Sequence, residues 1–218
     1  MEWLTENTYY NGGQPKSRIL PDNPLNILEF SCGRSFKNAI NCRYKAIILT
    51  DLLLAIGIKA YPLCLVGGKK IGCHFMVHAY SPELNKWVAL DPSFNTHFKN
   101  EDGLILDILQ LRKSLQNNGF PIICGYNFNG SRIQCFEQYK YGFVKEPLQF
   151  ISTWEDNARD EDKMEIQHGV RRKAMHIILE PIEQNYLQYL QTRIKNKKFL
   201  NSLKQKPVGT DDFLHIIG

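Results

Sequence analysis

The sequence predicts an α+β protein in which one buried helix packs against an antiparallel sheet and a helical extension follows. Two observations carry this prediction. The apolar residues of the run 43–56 cover nearly the whole circumference of a helix, which indicates a central, buried position. Three short β-like runs come next, separated by turn signals, as in an antiparallel meander. A length of 218 residues suffices for a real hydrophobic core.

The elements before the sheet follow from cap and turn residues. Residues 1–22 are predicted to be an irregular lead-in, because glycine and proline turn signals interrupt them. Asn23 has the residue type of an N-cap and Pro24 that of a first helical position, so a short helix is predicted to about Ser31. The buried helix is predicted to end at Gly57, a typical C-cap residue.

The sheet and the later elements follow from period and composition. The strands are predicted over Ala60–Val66, Cys73–Tyr80 and Trp87–Leu90, with turns at Gly67–Lys70 and Ser81–Asn85. A helix is predicted over Asp107–Gln116, and the aromatic-rich stretch 120–150 is expected to contain strands such as Gly130–Phe136. Two regions result: 1–150 as a folded domain, and 151–218 as an acidic linker with helices from Met164 and from Pro181 through Tyr189.

Composition favours a folded protein without a polyanionic or lipid partner. The chain is 43% hydrophobic and 22% charged, and its net charge of +5 is mild. The lysines near the C-terminus are more typical of a solvated helix face than of a nucleic-acid patch. The longest apolar stretch, residues 46–56, is too short to span a bilayer. We therefore expect no nucleic-acid and no membrane partner.

Cysteine usage favours reduced thiols. Six cysteines could form three disulfides in a secreted protein, but the N-terminal residues have neither a basic region nor an apolar region of a secretory signal. We therefore expect a cytoplasmic protein. The sequence also contains no Cys-x-x-Cys pair, which excludes the commonest zinc-ribbon and thioredoxin patterns.

Three residues offer the chemistry of nucleophilic catalysis: Cys42 at the start of the buried helix, His74 in the second strand and Asp91 after the third. Such catalysis needs a thiolate, a base that generates it and a group that orients the base. A thiol at a helix N-terminus faces unpaired N–H groups and the positive end of the helix dipole, and both stabilise a thiolate.

Strand parity predicts that His74 and Asp91 share a face. In a hairpin with an even turn the paired residue numbers have an odd sum, such as 165 for His74 directly opposite Asp91. A shift by one diagonal step keeps both side chains on the same face. Asp91 can then hold one ring nitrogen of His74, which leaves the other to face Cys42.

Taken singly, each of the three residues has an ordinary structural explanation. Cys42 alone would be a buried structural cysteine, and His74 alone a hydrogen-bonded core histidine. Asp91 alone would be explained by the turn that its Asp-Pro sequence favours. Their joint occurrence is what favours catalysis.

A metal site is the first alternative. His74 and His78 lie four residues apart, but on a strand this spacing separates them by ~13 Å along the axis. Only on a helix would both converge on one ion. We therefore expect no metal and no cofactor.

The motifs resemble the transglutaminase-like superfamily of papain-fold proteins over roughly residues 25–115. The matching pieces are Cys42 at the helix start, His74-Phe75-Met76-Val77, and Trp87-Val88-Ala89-Leu90-Asp91-Pro92. The resemblance implies that Cys42 is the nucleophile, His74 the general base and acid, and Asp91 the orienting acid.

Four further residues are candidates for oxyanion or substrate binding: Asn41, Arg43, Phe75 and Trp87. Asn41 stands where many members have Gln and could donate to an oxyanion, although local cap bonding explains it equally well. Arg43 and Phe75 depart from the residues frequent in the family, so the acyl pocket is not carried over. For Trp87, as for His78 and Tyr80, ordinary packing competes with a place in the site.

The expected function is thiol-dependent acyl transfer on an amide or peptide bond of a protein or peptide substrate, with hydrolysis favoured over amine transfer. A catalytically silent module that binds peptides in the same cleft is the alternative. Calcium and zinc requirements are not carried over, since the chain lacks both the additional β-domains of animal cross-linking enzymes and a Cys-x-x-Cys zinc site.

Overall fold

Helices on an antiparallel sheet form the architecture, as the α+β prediction requires. The computed structural model describes residues 1–12, 23–32, 35–67, 72–117, 121–125, 150–154 and 174–175. The helices are α1 (Glu2–Asn7), α2 (Pro24–Ser31), α3 (Cys42–Ala55) and α4 (Ile108–Gln116), with a 3₁₀ turn at Phe36–Asn38. In these ranges, every helix is too short or too polar to cross a lipid bilayer.

The N-cap predicted for α2 is present, and α4 begins with a side-chain cap as well. Asn23 caps α2, where its side-chain oxygen accepts from the Leu25 N–H at 2.9 Å, and Pro24 is the first helical residue. Asp107 performs the same role before α4, since its Oδ1 accepts from the Gln110 N–H at 2.7 Å. Capping satisfies N–H groups that have no partner within the helix, so these residue types define where each helix begins.

The first helix contradicts the prediction of an irregular lead-in. Glu2–Asn7 form α1, in which Leu4 and Thr5 are buried. The Thr8 hydroxyl donates to the Leu4 carbonyl at 2.6 Å and closes the last turn. Six residues are too few for a stable isolated helix, so α1 depends on packing that local sequence does not reveal.

Helix α3 is central, as predicted, but only over its first part. Every residue of Cys42–Thr50 except Arg43 is buried. Gly57 ends the helix with φ of 80°, a left-handed conformation that glycine adopts without steric cost. In the last turns, Leu52, Leu54 and Ile56 are exposed, so the prediction of burial on all sides is wrong there.

The sheet is wider than the predicted meander. Its strands are β1 (Ala60–Gly67), β2 (Gly72–Ser81), β3 (Lys86–Asp91), β4 (Thr96–Lys99), β5 (Ile122–Cys124), β6 (Phe150–Trp154) and β7 (Ala174–Met175). Their spatial order is β5-β4-β3-β2-β1-β6-β7, and all neighbours are antiparallel. The first three strands confirm the predicted meander, while β4, which was not predicted, follows it through a four-residue turn at 92–95.

The C-terminal part of the described chain extends the sheet. Strand β6 pairs with β1, and it spans the predicted boundary between residues 150 and 151. Ala174–Met175 form a strand that pairs with β6, so the predicted helix from Met164 is wrong at these two residues. The predicted turn at 68–70, the strand Gly130–Phe136 and the helix from Pro181 lie outside the described residues.

The N-terminal segment is attached to the start of α3. The Ile40 N–H donates to the Tyr9 carbonyl at 2.9 Å, and the Asn11 N–H donates to the Ile40 carbonyl at 3.0 Å. The fully buried Lys45 in α3 donates from Nζ to the Thr8 carbonyl at 3.2 Å. Residues 8–11 are therefore fixed beside the N-terminal end of α3.

The central helix packs on β1 and β2. Alternation along β2 directs His74, Met76 and His78 to one face of the sheet and Phe75, Val77 and Ala79 to the other. The Cys42 side chain interacts with His74, so α3 covers the face that carries the two histidines.

Candidate active site

His74 and Asp91 form a buried hydrogen-bonded pair. The distance between His74 Nε2 and Asp91 Oδ2 is 2.7 Å, and the exposed fractions of the two residues are 1% and 0%. Strands β2 and β3 pair with Ser81 opposite Lys86 and Val77 opposite Leu90, which extrapolates to Met76 opposite Asp91. His74 therefore reaches Asp91 along the diagonal. The prediction that the two side chains share a face is confirmed. His74 and Asp91 are one diagonal step apart and not directly opposite each other.

The Asp91 carboxylate is fixed from two sides. While Oδ2 accepts from His74, Oδ1 accepts from the Ser93 N–H at 2.9 Å. This second bond is the local turn bond that Asp favours, so the turn and the histidine use the same carboxylate. The Nε2–H of His74 donates to Asp91, which leaves Nδ1 to face the thiol.

Cys42 lies at the first position of α3, as predicted. Asn41 is the N-cap, and its Oδ1 accepts from the Tyr44 N–H at 3.3 Å. The expected cap role of Asn41 is thus present in the structure. Cys42 exposes 9% of its surface, and it adjoins N–H groups of the first helical turn that favour a negative charge.

The surroundings of His74 stabilise its charged form. Burial acts against the charge and is the largest single influence. The Asp91 charge, its hydrogen bond and the Cys42 side chain together outweigh burial, so the pKa of His74 is raised to about 10. A pKa in this range favours the imidazolium form of His74 at neutral pH.

The structure brings together Cys42, His74 and Asp91, with Asn41 and Arg43 adjacent in α3's first turn and cap. Arg43 is half-buried. Because side chains alternate along β2, Phe75 points to the face of the sheet opposite His74. It is buried there, with 8% of its surface exposed. Phe75 is therefore not brought to the triad, contrary to its prediction as a substrate-binding residue.

Trp87 belongs to a different cluster on the histidine-bearing face. Its ring lies 4.8 Å from the ring of His78, 5.5 Å from Tyr61 and 5.7 Å from Tyr80, measured between centroids. His78 is separated from His74 by ~13 Å along the strand. The structure thus gives Trp87, His78 and Tyr80 the packing role that competed with a place in the site.

Two aromatic residues near the triad were not predicted. The Phe94 ring lies 5.9 Å from the His74 ring, and the Tyr10 ring lies 5.3 Å from Phe94. Phe94 is three residues beyond Asp91 in the turn to β4, so its closeness to the acid is a local signal. Tyr10 comes from the N-terminal segment, and no local pattern connects it with the site.

Within the described parts of the chain, no group of three or more His, Cys, Asp or Glu side chains is arranged to hold a metal ion. Cys32 and Cys42 are both thiols, the first exposed and the second buried. The arrangement is therefore one of thiol, imidazole and carboxylate.

Comparisons with known proteins give no relative: no family model, no curated protein and no solved structure matches this chain. The function is therefore inferred from the residues of the site.

Proposed function

We propose that the protein is a cysteine-dependent acyl-transfer enzyme with a Cys42-His74-Asp91 triad, of the transglutaminase-like type that its motifs resemble. The observation that carries the proposal is the buried His74–Asp91 hydrogen bond of 2.7 Å next to a cysteine at a helix N-terminus. A charged imidazole is costly in a protein interior unless it is paired, and here its partners are an acid and a thiol.

The first half-reaction forms a thioester. The Cys42 thiolate attacks the carbonyl carbon of an amide, a C–S bond forms, and the carbonyl electron pair moves to oxygen. When the intermediate collapses, the C–N bond breaks and the His74 imidazolium gives its Nδ1 proton to the departing amine. The acyl group remains on sulfur.

The second half-reaction releases the acyl group. Neutral His74 takes a proton from water as the water oxygen attacks the thioester carbon, and the C–S bond breaks to restore thiolate and imidazolium. Asp91 keeps the imidazole in one tautomer and stabilises its charge in both halves. We propose water as the acceptor; an amine in the same position would give transamidation.

The N–H groups at the start of α3 supply the oxyanion stabilisation that acyl transfer needs. The Cys42 N–H lies at the helix start, where it has no acceptor within the helix. Asn41 uses its Oδ1 for the cap, which leaves its Nδ2 as a second donor in this proposal. Donors of this kind act most strongly in a site from which water is excluded.

One observation favours the alternative of a catalytically silent binding module. Cys42 exposes only 9% of its surface and His74 only 1%, so a substrate carbonyl has little access in this conformation. A site that stays closed would bind at its rim and leave the thiol unused. The two functions therefore differ in the reactivity of Cys42.

Alkylation by iodoacetamide tests the proposal, with Cys32 as the internal control because its thiol is exposed. We expect the alkylation rate of Cys42 to fall roughly tenfold less than that of Cys32 between about pH 9 and about pH 6, since a helix N-terminus and a neighbouring imidazolium favour a thiolate. The His74→Ala variant should lose this advantage. His78→Ala, a matched loss of a buried histidine from the same strand face, should keep it.

Peptide mass spectrometry of each labelled cysteine gives these rates. A thioester on Cys42 should then be trapped from a peptide-amide library by the wild type and not by Cys42→Ala. Equal pH dependence of Cys42 and Cys32, together with no trapped thioester, would refute the enzyme and leave the binding module.

A further inference from the structure

The imidazole of His74 is held at one end by a hydrogen bond and on one side by an aromatic ring. Asp91 holds Nε2 and Cys42 interacts with the same side chain, but the terminal torsion of histidine has a broad energy minimum, so packing against the ring also defines its rotation. Phe94 lies against that ring with a centroid distance of 5.9 Å and an interplanar angle of 45°. Phe94 is 3% exposed, so it cannot move aside without opening the core.

Phe94 is in turn supported by Tyr10. Their centroids are 5.3 Å apart at an angle of 56°, and Tyr10 is 6% exposed. The Phe94 N–H donates to the Asp91 carbonyl at 3.4 Å, which connects the ring to the backbone of the acid. Phe94 is thus packed between the catalytic pair and the N-terminal segment.

The backbone of Tyr10 leads to the nucleophile. Tyr10 and Ile40 form a parallel β-bridge, flanked by the hydrogen bonds of Ile40 with Tyr9 and Asn11. Ile40 precedes the Asn41 cap and Cys42. A continuous path of contacts therefore runs from the backbone beside Cys42, through the rings of Tyr10 and Phe94, to the imidazole.

We infer that Tyr10 and Phe94 are positioning residues that fix the His74 ring relative to the Cys42 sulfur, so that the N-terminal segment is a functional part of the site. The inference rests on the proposed function. Its physical reason is that proton transfer requires hydrogen-bond distance between imidazole and thiol, and a misplacement of about 1 Å can cost ~100-fold in rate.

Ordinary core packing would explain the same two rings, so the test needs a readout that packing alone does not change. The ratio of Cys42 alkylation rates at about pH 6 and about pH 9 reports how well the imidazolium supports the thiolate. Because both rates share the same access path, the ratio is insensitive to a change in exposure. Thermal unfolding of each variant measures packing separately.

Phe94→Leu and Phe98→Leu form the matched pair. Phe98 is fully buried in β4, close in sequence to Phe94, and lacks a ring contact with His74 among the described residues. We expect both variants to lower the melting temperature, whereas only Phe94→Leu lowers the rate ratio, by roughly tenfold. Phe94→Tyr should restore the ratio because it keeps an aromatic ring beside the imidazole.

Tyr10 provides a second variant, in the N-terminal segment. Tyr10→Ala should lower the ratio and Tyr10→Phe should keep it, since phenylalanine keeps the aromatic ring that contacts Phe94. If Phe94→Leu and Phe98→Leu have equal rate ratios while His74→Ala strongly lowers the ratio, this inference is wrong and the proposed function stands. If His74→Ala also leaves the ratio unchanged, the proposed function itself fails.

Discussion

The two histidines of β2 show how differently one strand face can treat the same side chain. His74 and His78 are four residues apart, point to the same face and are both almost completely buried. The pKa of His74 is raised to about 10, whereas burial lowers the pKa of His78 to about 3. Burial is therefore common to both, and the neighbouring groups decide whether the imidazole is charged.

The neighbours of His78 are aromatic instead of acidic. Its ring contacts that of Trp87 at a centroid distance of 4.8 Å and an angle of 34°, and among the described residues neither ring nitrogen of His78 has a hydrogen-bond partner. A neutral imidazole is the form that such an apolar site tolerates. At the other end of the face, Asp91 and Cys42 favour the charged form of the His74 imidazole. This is the form that activates a neighbouring thiol.

The largest difference between the two ends is the carboxylate, and Asp91→Asn removes it. In a Ser-His-Asp triad this change lowers kcat by about 10⁴-fold, because the histidine then adopts the wrong tautomer. We expect a loss of similar order here, measured as amine release from a pooled peptide-amide library. Asp102→Asn, in an exposed turn, is the control and should retain activity. Activity within roughly tenfold of the wild type would contradict the assigned role of Asp91.

Replacement of each histidine by leucine compares the two ends through stability. His74→Leu leaves the buried Asp91 without its charged partner, and loss of one member of a buried pair typically costs about 3–5 kcal/mol. His78→Leu removes a buried polar group that has no hydrogen bond, so the free energy of unfolding should stay equal or rise by about 1 kcal/mol. Urea unfolding of both variants measures the difference.

The pH dependence of the same two variants gives the sign of each contribution. The pKa of His74 is raised in the folded state, so its contribution is complete below about pH 6.5 and is lost as the pH rises through about 10. The pKa of His78 is lowered, so its contribution is present above about pH 6.5 and is lost as the pH falls towards about 3. His74→Leu should flatten the alkaline limb and His78→Leu the acidic limb. Identical profiles for the two variants would show that the ends do not differ.

The smallest expected effect concerns the N-terminal end of α3, which adjoins His74 but not His78. Asn41→Ala removes the cap of α3 and should lower the free energy of unfolding by about 1 kcal/mol, whereas Asn41→Ser keeps a capping oxygen and should cost little. Thermal or urea unfolding measures both. If serine destabilises as much as alanine, capping is not what Asn41 contributes; if serine is stable but turnover falls ~100-fold, Asn41 is an oxyanion donor.

The geometry between His74 and Asp91 could be predicted because it depends on parity alone. The turn between β2 and β3 has four residues, so paired numbers have an odd sum and both side chains share a face. The register itself differs by one step from direct opposition, since the length of a turn is not determined by its residue types. By the same alternation, Phe75 points to the face of the sheet opposite His74. Its separation from the triad could therefore also have been predicted from the sequence.

Other parts of the site depend on contacts that the sequence does not encode locally. Helix α1 is too short for propensity to indicate it, and the bridge from Tyr10 to Ile40 joins residues 30 positions apart. The apolar run that forms α3 and its C-cap was predicted to be buried on all sides, yet Leu54 and Ile56 are exposed. Hydrophobicity predicted where α3 begins, but not how far its burial extends.

The buried ammonium of Lys45 gives the start of the chain an importance out of proportion to its size. Its acceptor is the main-chain oxygen of Thr8, so a protease that trims the first eight residues takes away a ligand of a buried cation in α3, the helix that begins at Cys42. Removal of these residues should therefore weaken the packing of the N-terminal segment against α3.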